Sequence, residues 1–265
     1  MKKVLSIILA LTLLTGVLVG CSNNDAPVVS DDPNEPIYFA WYGPMTGESK
    51  QYGDTEKVAV EIALEKINEE NGGVLNGRKI VVDFFDDKND AKEAVSIANM
   101  IIGEGKYTAV IGGFGSTPSM AAAPLYEEAK IINYSPTASH ADFSSIGDFI
   151  FRNTTTQALE TTEYADYVYD ELGIRTVAIL NVNDDWGNNI ATIFTERFEG
   201  KGGKVVSVES YIPNQTADFT PMISKAKSLN PEGFFPVAYY ADSANILRQS
   251  DNLDFHPQMI LSSAT

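Results

Sequence analysis

Residues 110–139, VIGGFGSTPSMAAAPLYEEAKIINYSPTAS, constrain this chain more than any other stretch. They read as strand, turn, helix, strand, turn. Val110 and Ile111 close an apolar run, and Gly112, Gly113 and Gly115 let the backbone turn sharply after it. Ser116 and Thr117 then precede Pro118, the order found where helices begin. Ile131 to Tyr134 form the next short strand, which breaks into Ser135-Pro136-Thr137-Ala138-Ser139. Ligands of open parallel sheets bind at the carboxyl ends of the strands, so these two hydroxyl-rich turns predict a small-molecule site.

The same alternation runs along the chain. Strands are predicted at 37–42, 80–85, 107–111, 176–180, 205–211 and 233–238, with a short strand or crossover at 149–152 and another strand beginning at 259–261. Helices are predicted at 51–68, 91–102, 159–172, 190–198, 219–229 and up to Gln249, and Pro124 is expected to divide the helix after Pro118 in two. Asn181 to Asn189 read as a polar loop that holds Trp186. Strand and helix in alternation give an α/β fold with parallel sheets flanked by helices. The pattern restarts after residue 156, so two similar lobes are expected at 37–156 and 157–265, hinged near Asn153 to Gln157.

Residues 1–20 carry a basic start, Met1-Lys2-Lys3, and an apolar run from Val4 to Val19. That run is short for a membrane span and fits a signal peptide. Leu18-Val19-Gly20-Cys21 then resembles the lipobox of bacterial lipoproteins, which implies lipidation of Cys21. Residues 21–36 are polar and proline-containing, as suits a flexible tether. Cys21 is the sole cysteine, so neither a disulfide framework nor a Cys-rich metal site can form.

Several chemistries are excluded or disfavoured. The formal net charge of −17 argues against nucleic acid as a partner, because phosphates need Lys and Arg. Gly113 and Gly115 begin a G-x-G, but Pro118 stands where a dinucleotide fingerprint needs its third glycine, and no phosphate loop motif occurs. The G-x-S-x-G of a hydrolase is missing, and Ser139, His140 and Asp142 are neighbours along a surface turn rather than a triad. Asp86, Asp87 and Asp90 lack the glycine and terminal acid of a calcium loop, and their expected task is the polar start of the helix at Ala91. No cofactor and no metal are expected.

Ser116, Thr137 and Ser139 offer hydroxyls and nearby backbone N–H groups at strand ends, beside the positive end of a helix. That arrangement would hold a carboxylate without an arginine; ordinary helix capping accounts for the same residues. Tyr52, Trp186 and Tyr239 each sit in a loop after a strand, where they would form cleft walls or merely pack loops.

A family resemblance weighs these alternatives. Gly43-Pro44-Met45-Thr46-Gly47 with Gln51-Tyr52-Gly53-Asp54, the Asn71-Gly72-Gly73 and Asn76-Gly77 turn, Phe84-Phe85-Asp86-Asp87, and Ile111-Gly112 with Ser116 and Ser135-Pro136-Thr137-Ala138-Ser139 resemble the branched-chain amino acid-binding proteins of ABC transporters. So do Phe151-Arg152, Trp186-Gly187, Asp218-Phe219 and Ile246-Leu247-Arg248-Gln249. The resemblance implies a type I periplasmic-binding-protein fold, with two Rossmann-like lobes and a cleft between them. It implies that Ser116 holds a ligand α-carboxylate, that the Thr137 carbonyl faces the α-ammonium, and that Ser139 contacts both. Tyr52 and Tyr239 match aromatic walls, one from each lobe, and Trp186 stands where a tyrosine often lines the far side. The family's acid that pairs with the ammonium would fall near Ala264, where this sequence has none. Family members also run on well past Thr265, so the sequence looks truncated.

The resemblance therefore implies a lipid-anchored, extracytoplasmic solute-binding protein that is not an enzyme. Its ligand would be a branched-chain amino acid or an analogue, delivered to the membrane permease subunits of an ABC transporter. The alternatives are a ligand-sensing receptor subunit of the same fold, or a binder of amides, urea or aromatic acids.

Overall fold

The structure, a computed structural model, describes residues 32–264 apart from 33, 76 and 214. The apolar leader, the lipidation motif at Cys21 and residues 22–31 of the expected tether lie outside the described residues, as do Asn76 and Thr265. The end of the tether is held rather than free. Buried Arg78 donates to the carbonyls of Glu35 (2.7 Å) and Pro36 (3.4 Å), just before the first strand. No helix among the described residues is long and apolar enough to cross a membrane.

The first sheet collects β1 (Ile37–Gly43), β2 (Ile80–Asp86), β3 (Tyr107–Ile111), β4 (Ile132–Ser135) and β5 (Ile150–Arg152) in the order β2-β1-β3-β4-β5, with every pairing parallel. Its connecting helices are α1 (Lys50–Glu65), α2 (Ala91–Glu104) and α3 (Ser116–Glu128). The second sheet collects β6 (Thr176–Val182), β7 (Lys204–Tyr211), β8 (Gly233–Val237) and β9 (Gln258–Met259) in the order β7-β6-β8-β9, again all parallel. Four helices serve it: α4 (Gln157–Asp170), α5 (Asp185–Gly200), α6 (Thr220–Ser228) and α7 (Tyr240–Asn252). In both sheets the chain runs outward on one side of the first strand and then returns to the other side. The switch points, β1/β3 and β6/β8, are where such folds open a crevice at their strand ends.

Each sheet has its own core. Ala40, Tyr42, Ile97, Ile101, Val110 and Tyr126 cluster in the first, and Val177, Ile179, Phe194, Phe198, Phe234 and Phe235 in the second. The central strands are near-continuous apolar runs because helices cover both faces of a parallel sheet; all five residues of β8, GFFPV, are buried. Residues 153–156 carry the chain from β5 to α4, whose Ala165 and Val168 are buried in the second core.

The polar residues behind the strands have specific tasks. Asp90 caps α2, accepting from the N–H groups of Lys92 (2.8 Å) and Glu93 (3.1 Å), which satisfies donors the helix leaves unpaired. Asp86 instead ties the loop after β1, accepting from the N–H groups of Met45 (2.8 Å) and Thr46 (3.2 Å) and from the Thr46 hydroxyl (2.5 Å).

Two local expectations are corrected. α3 is one helix from Ser116 to Glu128 that continues through Pro124. Pro124 lies on the exposed face, while Ala122, Ala123 and Tyr126 are fully buried. Their packing outweighs a proline penalty of about 3 kcal/mol in a helix interior. The supposed loop holding Trp186 is the end of β6 followed directly by α5, and Trp186 sits in the first turn of that helix. Asp184 makes the short connection possible by capping α5, its Oδ1 accepting from the Gly187 N–H at 2.8 Å.

Candidate functional site

The two sheets face each other with their strand ends across a cavity of about 300 Å³, at the small end of ligand-pocket sizes. Tyr52, Ser116, Thr137, Ser139, Trp186 and Tyr239 all line it. Each follows the carboxyl end of a strand: Tyr52 after β1, Ser116 after β3, Thr137 and Ser139 after β4, Trp186 after β6 and Tyr239 after β8.

Ser116 opens α3 and is 2% exposed. Its Oγ is buried without a hydrogen-bond partner among the described residues. No side chain caps the helix, since Gly115 is the N-cap residue. Uncapped N–H groups, the helix dipole and a spare hydroxyl therefore meet at the cavity wall, and together they favour an anion. The turn in front of them is clamped. Asn133 Nδ2 donates to the Gly112 carbonyl (2.7 Å), and the hydroxyls of Ser135 (2.8 Å) and Ser119 (3.1 Å) donate to the Gly113 carbonyl.

Thr137 Oγ1 lies 2.9 Å from Glu56 Oε1 and 3.0 Å from the Phe114 carbonyl, so its side chain is engaged with the first lobe. Burial pushes the Glu56 carboxyl up to about 7, against the Thr137 hydrogen bond that pulls it down. Buried Asp87 is likewise pushed up to about 7, chiefly by desolvation. For both groups the folded state binds the proton more tightly than the unfolded chain. Their contribution to stability is complete at low pH and is lost as pH rises through about 7. The melting temperature should therefore fall between pH 5 and pH 8. Glu56→Gln, which keeps an acceptor for Thr137, should remove about 3 kcal/mol of that dependence and leave the part due to Asp87. Melting curves across this range check the sign; a stability that rises with pH contradicts it.

Aromatic rings form much of the rest of the lining. Tyr52 stacks on Phe114 (4.4 Å between centroids) and Trp186 on Tyr239 (5.1 Å), while Tyr52 meets Tyr239 edge-on at 6.1 Å. The Tyr239 hydroxyl donates to Asp184 Oδ2 at 2.8 Å, so the acid that caps α5 also orients this ring. Burial raises the Asp184 carboxyl above its ordinary range. Beneath Trp186, Gly187 lets α5 approach β6 closely, because a Cβ there would stand 2.2 Å from the Val182 carbonyl oxygen.

The lobes touch on either side of the cavity. Tyr52 Oη donates to the Ala264 carbonyl (2.6 Å) and accepts from the Tyr240 N–H (3.1 Å). The Asp185 N–H donates to Thr117 Oγ1 at 3.0 Å. The Gln157 N–H donates to the Ser139 carbonyl at 2.8 Å, and Gln157 Nε2 to the Trp186 carbonyl at 3.1 Å. Two such lobes closed over one cavity can enclose a small molecule among polar groups and aromatic rings.

Phe114, Thr154, Glu160 and Ser263 also line the cavity, and the sequence did not single them out. The signal for Phe114 was its place between glycines in the first strand-end turn. Glu160 lies inside the helix expected at 159–172, which begins at Gln157, and no motif marked its first turn as facing the cavity.

Comparison with known proteins agrees with this geometry. A family model described as periplasmic binding protein matches residues 36–265, nearly the whole folded part. The chain belongs to the periplasmic binding protein family. Among curated relatives of this periplasmic binding protein is the leucine-, isoleucine-, valine-, threonine- and alanine-binding protein of Pseudomonas aeruginosa. It is 28% identical over 82% of this chain and 57% of its own length. A leucine-binding protein from Thermotoga maritima superposes with a TM-score of 0.76 at 26% identity, covering 85% of this chain and 63% of that one. A substrate-binding protein of a branched-chain amino acid transporter from Streptococcus pneumoniae, solved with isoleucine, gives 0.79 at 23% identity, with 87% and 65% covered, and shares the fold. The chain thus spans a little over half the length of the curated relative it matches.

Proposed function

We propose that this periplasmic binding protein captures a small amino acid-like solute, a branched-chain amino acid first of all, between its lobes outside the cytoplasm. It hands the solute to the membrane permease subunits of an ABC transporter. The observation that carries the reading is the unpartnered, buried Ser116 hydroxyl at the uncapped start of α3, facing an aromatic-walled cavity. The ligand carboxylate lies against Ser116 and Ser139, the ligand amine lies toward Thr137, and the side chain lies among Tyr52, Trp186 and Tyr239. Residues 37–156 and 157–265 act as the two lobes and hinge near Asn153 to Gln157. The ligand contacts both lobes only when they are closed and so shifts the population toward closure. No bond is made or broken in this role. Lipid on Cys21 keeps the protein at the membrane surface. The two stacked aromatic pairs also favour a second reading, an aromatic acid as ligand.

A thermal-shift panel of amino acids, short amides, urea and aromatic acids tests the proposal. A ligand at a hundredfold excess over its dissociation constant stabilises the native state by about 2.7 kcal/mol, which corresponds to about 5–10 °C in a domain pair of this size. A shift of that size with leucine, isoleucine or valine is the expected result. Shifts confined to aromatic acids would replace it by the second reading, and clean melting with no shift for any compound would defeat both.

A further inference from the structure

A single formal charge lines the cavity. Among the described lining residues Glu160 is the lone carboxylate, and no lysine, arginine or histidine accompanies it. Glu160 sits in the first turn of α4, just beyond the crossing from β5, and so belongs to the lobe opposite Ser116. Its position is well fixed. Thr156 caps the helix, and fully buried Gln157 binds the Ser139 carbonyl with its N–H and the Trp186 carbonyl with its side chain. Glu160 is thereby held in one frame with a hydroxyl residue of the first lobe and an aromatic wall of the second. The Tyr164 hydroxyl donates to its Oε1 at 3.0 Å, which orients the carboxylate without neutralising it. No cation among the described residues pairs with it.

The cavity therefore has two electrostatic ends. The first lobe supplies donors and the positive end of α3; the second supplies a fixed negative charge. A zwitterion satisfies both ends, whereas a plain carboxylic acid leaves Glu160 facing an anion with no counter-charge, which disfavours it. Resting on the ligand-capture reading above, we infer that Glu160 accepts the ligand's cationic group and makes the cavity select zwitterions over simple carboxylates.

Calorimetric titration with L-leucine and with isocaproate, which is leucine without its amino group, tests this on the wild-type protein, Glu160→Gln and Glu163→Gln. Glu163 is exposed on the same helix and does not line the cavity. The wild type should bind leucine and strongly disfavour isocaproate. Glu160→Gln should lose about 10- to 100-fold in leucine affinity, the range for a hydrogen bond to a charged group, and bind isocaproate as well as the wild type or better. Glu163→Gln should match the wild type for both ligands. Unchanged leucine affinity in Glu160→Gln overturns the inference and leaves the capture reading standing, and equal losses for both ligands would show a merely structural role. Should Glu160→Gln not fold, the wild type decides alone, since equal affinity for leucine and isocaproate is incompatible with the inference. A wild type that binds neither ligand removes leucine as the captured solute and overturns this inference, while the wider ligand panel decides the capture reading.

Discussion

Ser116→Ala is expected to weaken leucine binding by about 10- to 100-fold while leaving the ligand-free protein as stable as the wild type, or slightly more so. The two effects separate because the hydroxyl is buried with no partner among the described residues. A buried hydroxyl without a hydrogen bond costs the folded state desolvation, so its removal relieves that cost. Its value lies in the bound state, where it and the uncapped α3 N–H groups meet a carboxylate. Calorimetric titration gives the affinity, and thermal melting without ligand gives the stability. Loss of both together would mean that Ser116 is an ordinary structural residue, and unchanged binding would move the carboxylate elsewhere.

Gly112→Ala should be a strongly damaging single methyl group in the first lobe, because it combines a backbone clash with a left-handed φ. Gly112 has φ near +132°, and a Cβ there would stand 2.2 Å from the Tyr42 carbonyl oxygen and 2.8 Å from Tyr42 Cδ1. Neither partner can give way easily. Tyr42 is fully buried at the end of β1, and Gly112 is fixed from both sides by its N–H to the Tyr134 carbonyl (2.9 Å) and by Asn133 Nδ2 on its own carbonyl. Backbone strain and a forced shift of the strand end together should cost about 3 kcal/mol or more. The displaced turn carries Ser116, so binding should weaken as well. Urea unfolding measures the first effect, and a loss below about 1 kcal/mol would show that the turn is softer than its hydrogen bonds imply.

The two parallel sheets were legible in the sequence because each central strand is a short apolar run that ends in turn-forming or polar residues, Gly43 at the end of β1, Gly112 after β3 and Asn183-Asp184 after β6. Where the reading failed, tertiary packing overrode local rules. Pro124 is tolerated because its helix is anchored by Ala122, Ala123 and Tyr126 on the other face. The stretch around Trp186 looked like a loop because its polar residues are an N-cap and a first helical turn, compressed against β6 by Gly187. The six candidate residues share one cavity because strand ends of parallel sheets converge, a consequence of topology visible from the strand pattern alone. Glu160 was not legible in the same way. It lies in the first turn of α4, past the end of β5, where the bonds from Gln157 to Ser139 and Trp186 hold the helix at the cavity, and no sequence motif marks that turn.

The most direct test of the central claim, that the space between the lobes takes up one small amino acid, is a calorimetric titration of the purified protein with L-leucine at neutral pH. Saturable binding with one leucine per chain, weakened in Ser116→Ala, is the result predicted. No heat of binding from a protein that melts cooperatively would contradict it.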